Sequence, residues 1–361
     1  MKVKLSDVAG FSKGEQVNGD ELSDEYQFPF INGGINRSGM WKHWNVEGNT
    51  VTISEGGNSC GFVNFVTEPF WCGAHCYYLF DVKGCPKYLY YALKSQESRL
   101  MASRSGCCMP NLKKKTLGDF LLCYDADVNI QQKVIKDLDA CSSVCALTEE
   151  ELLKLDQLVK SRFVEMFGDL RVNTKNWPKG RVKDLAEYWN GLTYKPTDVT
   201  DNGIVVLRSS NIQSGMLDMS DLVRVSVDAK AKNVVAPNDI LMCSRNGSAA
   251  LVGKTAIIPA GVEKMYFGAF MMIIRGRHPE FLNAFFRSSA FRTQLSCAKT
   301  STVNQITCSM MDGVVLPLPP ERLMTEFAAF VAEVDKSKFA VRKRLDKARL
   351  LYRAKLQEYF G

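Results

Sequence analysis

The stretch from Asn129 to Gly168 constrains this chain more than any other. Apolar or small residues fall at Val134, Leu138, Cys141, Cys145, Leu152, Leu155, Val159 and Met166, with Thr148 filling the one gap. The steps alternate between four and three residues, which is the seam of a coiled coil sustained for about four to five heptads. No Pro or Gly interrupts it before Gly168, where a helix end favours glycine. At about 1.5 Å of rise per residue the rod is roughly 57 Å long. A seam needs a partner, and the chain carries one at its other end.

From Glu321 to Gly361 the pattern returns at Phe327, Val331, Val334, Val341, Leu345, Ala348, Tyr352 and Tyr359. The helix ends match residue by residue, Phe163, Glu165, Phe167 and Gly168 against Leu356, Glu358, Phe360 and Gly361, at an offset of 193. The same offset pairs Asn111 with Asn304 and Asp119 with Asp312. Near the front the offset is 177, pairing Asp7, Ala9 and Gly14 with Asp184, Ala186 and Gly191. In between, Gly57 pairs with Gly247, and Gly73-Ala74 with Gly268-Ala269. The chain therefore reads as a tandem duplication of a globular domain followed by a long helix, the second copy being longer by about 16 residues. The two helices differ in charge. Residues 130–168 hold five Lys/Arg and seven Asp/Glu, whereas 321–361 hold ten and six, as suits helices lying side by side.

A length of 361 residues and an apolar content of 46% allow two cores of ordinary size. No apolar run reaches the ~18 residues of a membrane span. Residues 1–7 lack the apolar core of a signal peptide, so the twelve Cys read as reduced thiols of a cytoplasmic protein. The net charge of +7 permits an anionic partner without demanding one.

Both copies follow one order. In the first, Phe28–Ile31, Thr50–Ser54, Phe62–Val66 and Tyr77–Phe80 read as strands, and Pro86–Ala102 as a helix. In the second, Ile204–Leu207 and Asp239–Ser244 are strands and Pro279–Ala298 the helix. Asp169–Pro178 is a polar linker, and Pro317-Leu318-Pro319-Pro320 ends the second domain. The expected layout is a first domain at 1–127, a central helix at 128–168, a second domain at 169–319 and a C-terminal helix at 320–361. The fold class is mixed α/β, two domains separated by two long antiparallel coiled-coil helices in a pseudo-twofold internal repeat.

This plan resembles the specificity subunit of a type I restriction-modification system. The residues that carry the resemblance are Asn238-Asp239-Ile240-Leu241 with Ser244 and Gly247, Thr302-Val303-Asn304-Gln305-Ile306, and Val315-Leu316-Pro317-Leu318-Pro319-Pro320. In the first copy they are Gly33-Gly34-Ile35-Asn36 with Gly39, and the helix end Arg162–Asp169. The copies depart from the family pattern in places: the first has Cys123-Tyr124-Asp125-Ala126 where the second has Pro-Leu-Pro-Pro, and Gln131-Gln132 have no match in the second. The resemblance implies two target-recognition domains that bind a bipartite, non-palindromic site on double-stranded DNA. It also implies docking to two modification (methyltransferase) subunits and to restriction (translocase/nuclease) subunits, with no cofactor and no catalysis in this chain. Two other classes stay open. One is the specificity subunit of a related system whose restriction and methylation partner is fused; the other is a coiled-coil scaffold that binds no DNA.

Candidate DNA contacts are polar loop residues, since Arg and Lys suit phosphates and guanine edges and Asn suits adenine. The first copy offers Asn36, Arg37, Lys42, His43, Asn58, Arg104, Lys113, Lys114 and Lys115. The second offers Arg208, Ser210, Asn211, Arg245, Asn246, Lys254, Lys299 and Asn304. Because Asn111 and Asn304 recur, a structural turn is favoured for them over base reading. Trp41 and Trp44 suit core packing or, if exposed, stacking.

Other chemistry fits less well. Gly247 to Thr255 resembles a phosphate-binding loop but has five residues between its glycines where four are required. Cys72-Gly73-Ala74-His75-Cys76 invites zinc, yet no second paired Cys motif accompanies it, and buried Cys is ordinary core material. Three His leave little room for His-based catalysis, and no methyltransferase or hydrolase motif is present.

Overall fold

Both seams are helical throughout, as Val128–Phe167 and Glu321–Phe360, each of 40 residues, in a computed structural model that describes residues 1–106, 110–227, 230–297 and 304–361. The chain forms two compact units. One is Met1–Glu151 with Val341–Gly361, and the other is Leu152–Ala340. No helix among the described residues is long and apolar enough to cross a membrane.

The first unit holds β1 (Lys2–Lys4), β2 (Gly10–Lys13), β3 (Phe28–Ile31), β4 (Gly39–Trp41), β5 (Thr50–Ser54), β6 (Val63–Val66), β7 (Trp71–Cys72), β8 (Cys76–Phe80) and β9 (Leu121–Cys123). An antiparallel sheet runs in the order β2-β8-β5-β6, a smaller one β4-β3-β7 has β3 and β7 parallel, and β1 pairs with β9. The start of the central helix completes this core. Val134 and Leu138 are buried with Leu89, Leu93 and Leu122, and Phe360 from the end of the C-terminal helix joins them. Gln131 is fully buried at the helix start; its side chain accepts from the Cys85 N–H at 2.7 Å and donates to the Asp125 carbonyl at 2.6 Å. One polar side chain thus ties helix to domain with both ends satisfied.

The second unit repeats the plan with β10 (Lys179–Arg181), β11 (Ala186–Asn190), β12 (Val199–Leu207), β13 (Ile212–Gln213), β14 (Met216–Leu217), β15 (Val223–Val225), β16 (Ile240–Cys243), β17 (Thr255–Ile257), β18 (Met265–Phe267), β19 (Met271–Gly276) and β20 (Val315–Pro317). Its sheets are β11-β19-β16-β17, β15-β12-β18 with β12 and β18 parallel, and the pair β10-β20. The short hairpin β13-β14 has no strand counterpart among the described residues of the first unit. Here the helices exchange roles: Phe163, Met166 and Phe167 from the end of the central helix pack with Met324 and Phe327 from the start of the C-terminal one. The central helix stops at Gly168, held at φ +76°, and the Trp177 indole donates to the helix-end carbonyl of Phe167 at 3.1 Å.

The duplication is visible in the backbone. A Cβ on Gly14 would lie 1.8 Å from the Cys72 carbonyl oxygen, and one on Gly191 would lie 2.0 Å from that of Phe267. The N–H groups of Gly73 and Gly268 donate to Ile31 and Leu207 at 2.8 and 3.0 Å. Two of the sequence pairings slip by one residue. The Gly57 N–H donates to Pro110 as the Asn246 N–H does to Asn304, and Gly56 bridges Asn111 as Arg245 bridges Gln305. Thus Gly57 matches Asn246, and Asn111 matches Gln305. A lone Asn or Gly carries no register; the ladder does.

The two domain helices also differ from expectation. Each is broken once, into Pro86–Ser95 and Glu97–Ala102, and into Pro279–Phe286 and Ser289–Cys297. At both breaks a serine hydroxyl donates back three residues, Ser95 to Ala92 at 2.8 Å and Ser288 to Phe285 at 2.6 Å. Such a local bond competes with the helical ladder. Ala298 lies outside the described residues.

Within each unit the long helices run antiparallel. In the first, Glu149 pairs with Arg349 at 2.7 Å and Glu151 with Arg344. In the second, Asp156 pairs with Lys338 at 2.7 Å and Arg162 with Glu326 at 3.3 Å. Ascending one helix means descending the other, and acid on the central helix mostly meets base on the C-terminal one.

Candidate nucleic-acid interface

In each unit three loops converge at one end of the sheets. In the second unit these are the segment after β12, the β16–β17 hairpin and the strand-like segment at 304–305. The Asn246 amide donates to the Ser209 hydroxyl at 3.2 Å, and the Asn304 amide to the Gly247 carbonyl at 3.2 Å. The hairpin reading of Gly247–Thr255 is realised, with β16 and β17 paired from Ile240 opposite Ile257 to Met242 opposite Thr255. Arg245 projects from this rim with its guanidinium 5.2 Å from the ring centre of Phe270, which is 59% exposed. Lys254 reaches back to the Ile212 carbonyl at 3.4 Å.

The first unit builds the same rim from the loop after β3, the β5–β6 hairpin and residues 110–111. The Ser59 hydroxyl donates to Gly33 at 2.6 Å. Asn36, Arg37, Asn58 and Arg104 are exposed on or beside these loops. Lys113 follows directly, because the Leu112 N–H is held by the Glu55 carbonyl at 2.8 Å. Lys114 and Lys115 then run down the short helix Lys114–Gly118, with Lys114 5.9 Å from the Phe11 ring centre. Glu55 is buried, paired with Lys13, and 3.9 Å from His75 Nδ1.

Not every candidate joins a rim. The register of β3 with β4 sets Phe28 opposite Trp41 and Phe30 opposite Gly39. Lys42 and His43 therefore lie at the opposite end of that ribbon from Asn36 and Arg37. Trp41 is buried edge-on to Trp71, 6.2 Å between ring centres, whereas Trp44 is exposed. Asn211 is fully buried; its amide donates to Asp218 and Asp221 at 2.9 and 2.8 Å, and its oxygen accepts the Arg208 N–H at 2.9 Å. That side chain is committed to holding its loop. Arg208 is paired with Asp221 at 2.9 Å, and the Ser210 hydroxyl is buried. Lys299 lies outside the described residues. Ser59, Ser209, Gln305 and Phe270 belong to the rims but are not among the DNA-contact candidates read from the sequence. For Phe270 a signal existed: the duplication sets it opposite His75, a polar residue.

The ends of the hairpins are anchored independently of the rims. Arg275 grips buried Asp239 through Nε at 2.7 Å and Nη2 at 2.8 Å, and this bond raises the basicity of the guanidinium. Cys72 and Cys76 are buried, and the Cys72 thiol donates to the Cys76 carbonyl at 3.4 Å. Burial pushes the Cys60 and Cys243 thiols above their ordinary range.

By architecture, then, the chain is a duplicated mixed α/β domain, each copy carrying one polar loop rim, with a pair of long antiparallel helices. Residues 1–157 match the family model described as the type I restriction modification DNA specificity domain. The resemblance read from the sequence is borne out. The chain is 29% identical over 180 residues to the type I restriction enzyme EcoKI specificity subunit of Escherichia coli K12, an alignment covering 45% of this chain and 38% of that protein. It is 28% identical over 177 residues to the StySPI specificity subunit of Salmonella potsdam, covering 45% and 38%. These matches span well under half the length of the relatives. The crystal structure of the type I restriction-modification system S subunit from M. genitalium superposes with a TM-score of 0.63 at 16% identity, covering 100% of this chain and 96% of that one, and so shares its fold.

Proposed function

We propose that this chain is the DNA sequence-recognition subunit of a type I restriction-modification complex. Each domain reads one half of a bipartite, non-palindromic target with its loop rim, and the helix pair docks two modification subunits and the restriction subunits. The boundaries of the reading domains fall near 127 and 319. The chain supplies no catalytic group of its own; methylation and cleavage belong to its partners.

One observation carries the reading. The same rim is built twice on the same backbone frame, and the side chains set into it differ, with Asn58 and Arg104 in one and Arg245, Asn246 and Asn304 in the other. A shared frame fixes how a domain sits on the phosphates, and differing tips give each domain its own base preference. The exposed apolar residues Leu147, Leu153, Leu350 and Leu351 on the long helices are suited to covering by partner helices. The test is replacement of residues 179–316 by the matching segment of a relative, followed by methylation mapping in a host that carries the modification subunit. One half of the methylated target should change and the other should stay. A change in both halves, or sequence-independent binding, would refute the reading.

A further inference from the structure

Phe270 is an apolar side chain held out into solvent by a pinned backbone. Its carbonyl accepts two N–H groups, from Ser244 at 2.9 Å and from Arg245 at 3.1 Å, and the next residue, Met271, closes a turn onto Gly268 at 2.9 Å. Ser244 and Met271 are buried, so the turn is anchored in the core while the ring remains outside. Exposing a phenyl group costs about 2 kcal/mol relative to burying it, which asks for a partner surface. Arg245 lies over that ring, and no carboxylate among the described residues pairs with its guanidinium. Arg245 is also fixed at its backbone, bridged to Gln305 across the rim.

We infer, on the footing of the function proposed above, that Phe270 and Arg245 act as one reading unit for a thymine next to a guanine in the half-site of the second domain. An aromatic face is a favourable contact for the thymine 5-methyl group, and a guanidinium matches the O6 and N7 acceptors of guanine in the major groove. A guanidinium held over a ring sits beside the apolar group on the same rim, and that contact limits the rotamers lost on binding. The first domain lacks this device. At the matching turn it carries His75, whose ring stands beside the buried Glu55 carboxylate, so that position is polar. The Glu55 N–H donates to the His75 carbonyl at 2.9 Å, as Ser244 does to Phe270, which fixes the equivalence. The thymine requirement therefore belongs to one half of the target only.

The experiment uses the full chain in complex with its modification subunit. The target is first mapped by methylation-sensitive sequencing. Duplexes carrying that target are then made with each thymine in turn replaced by uracil, which removes only the 5-methyl group, and their affinities are measured. One replacement, adjacent to a guanine in one half-site, should weaken binding about tenfold, and the others should have little effect. In Phe270→Ala the thymine duplex should fall to the affinity of the uracil duplex. In Arg245→Ala the neighbouring guanine should lose its discrimination. The uracil series needs only the wild-type complex, so it stands even if a variant folds poorly. Sequence-selective binding with equal thymine and uracil affinities everywhere would overturn this inference and leave the proposed function intact. Binding without sequence selectivity would overturn the proposed function itself.

Discussion

Lys338 Nζ lies 2.7 Å from the Asp156 carboxylate across the helix seam, with side chains only 8% and 23% exposed. Around it the seam holds apolar residues such as Val334, Val341 and Leu345. A buried charge that finds its partner in only one alignment selects that alignment at some cost in stability. At the offset of the duplication, the residue matching Lys338 is Cys145, so the ion pair is confined to one copy.

Asp156→Asn should therefore destabilise the chain by about 2 kcal/mol, below the usual cost of orphaning a buried charge because Asp335, at 3.5 Å from Lys338, remains. The double variant Lys338→Met with Asp156→Leu should recover that loss. Urea denaturation followed by helical circular dichroism measures both. A double variant less stable than Asp156→Asn would show that the pair stabilises the helices outright.

The close approaches at Gly14 and Gly191 give a second prediction. Alanine at either should cost about 3 kcal/mol, since the methyl group would meet a backbone carbonyl oxygen of a neighbouring strand. Gly247, whose added Cβ meets nothing within 4 Å, should accept alanine within about 0.5 kcal/mol. Thermal melts of the three variants provide the comparison.

Asn211→Ala should act on stability and not on target choice. It leaves two carbonyls and one N–H without their partner inside the loop, a loss of about 2–4 kcal/mol. Methylation mapping should return the unaltered target at a temperature where the variant is folded. An altered second half-site would mean that Asn211 reaches bases.

Burial pushes the Tyr77 phenol up to about 12, with the Glu55 charge adding to the effect. An unfolded tyrosine ionises near 10. Between these values the folded chain keeps a proton that the unfolded chain has lost. The contribution is thus complete below about pH 10 and is lost as the pH rises to about 12. Tyr77→Phe should make the fall of stability with pH over that window shallower by up to about one proton, read from denaturation midpoints. An unchanged slope would place the titrating protons on other groups.

The sequence by itself determined the repeat, the two helices and the fold class. These rest on local periodicity and on spacing, which survive without any knowledge of what packs where. Val134, Leu138, Met166 and Phe327 are buried as their seam positions require. The polar character of the loops was equally legible, because turns announce themselves in Gly, Asn and Ser. The tertiary structure alone decided which loop residues share a rim. The pairing of Phe28 with Trp41 removes Lys42 and His43 from the loop they seemed to flank, and it does so through ladder register, a property of two strands together. Burial of Asn211 depends on carbonyls seven and ten residues away. Phe270 reads as a strand residue among Ala269, Met271 and Met272 until the turn at Gly268 points its ring outward. Each of these outcomes is set by which backbone groups meet across the fold, and a one-dimensional pattern of residue types does not encode that.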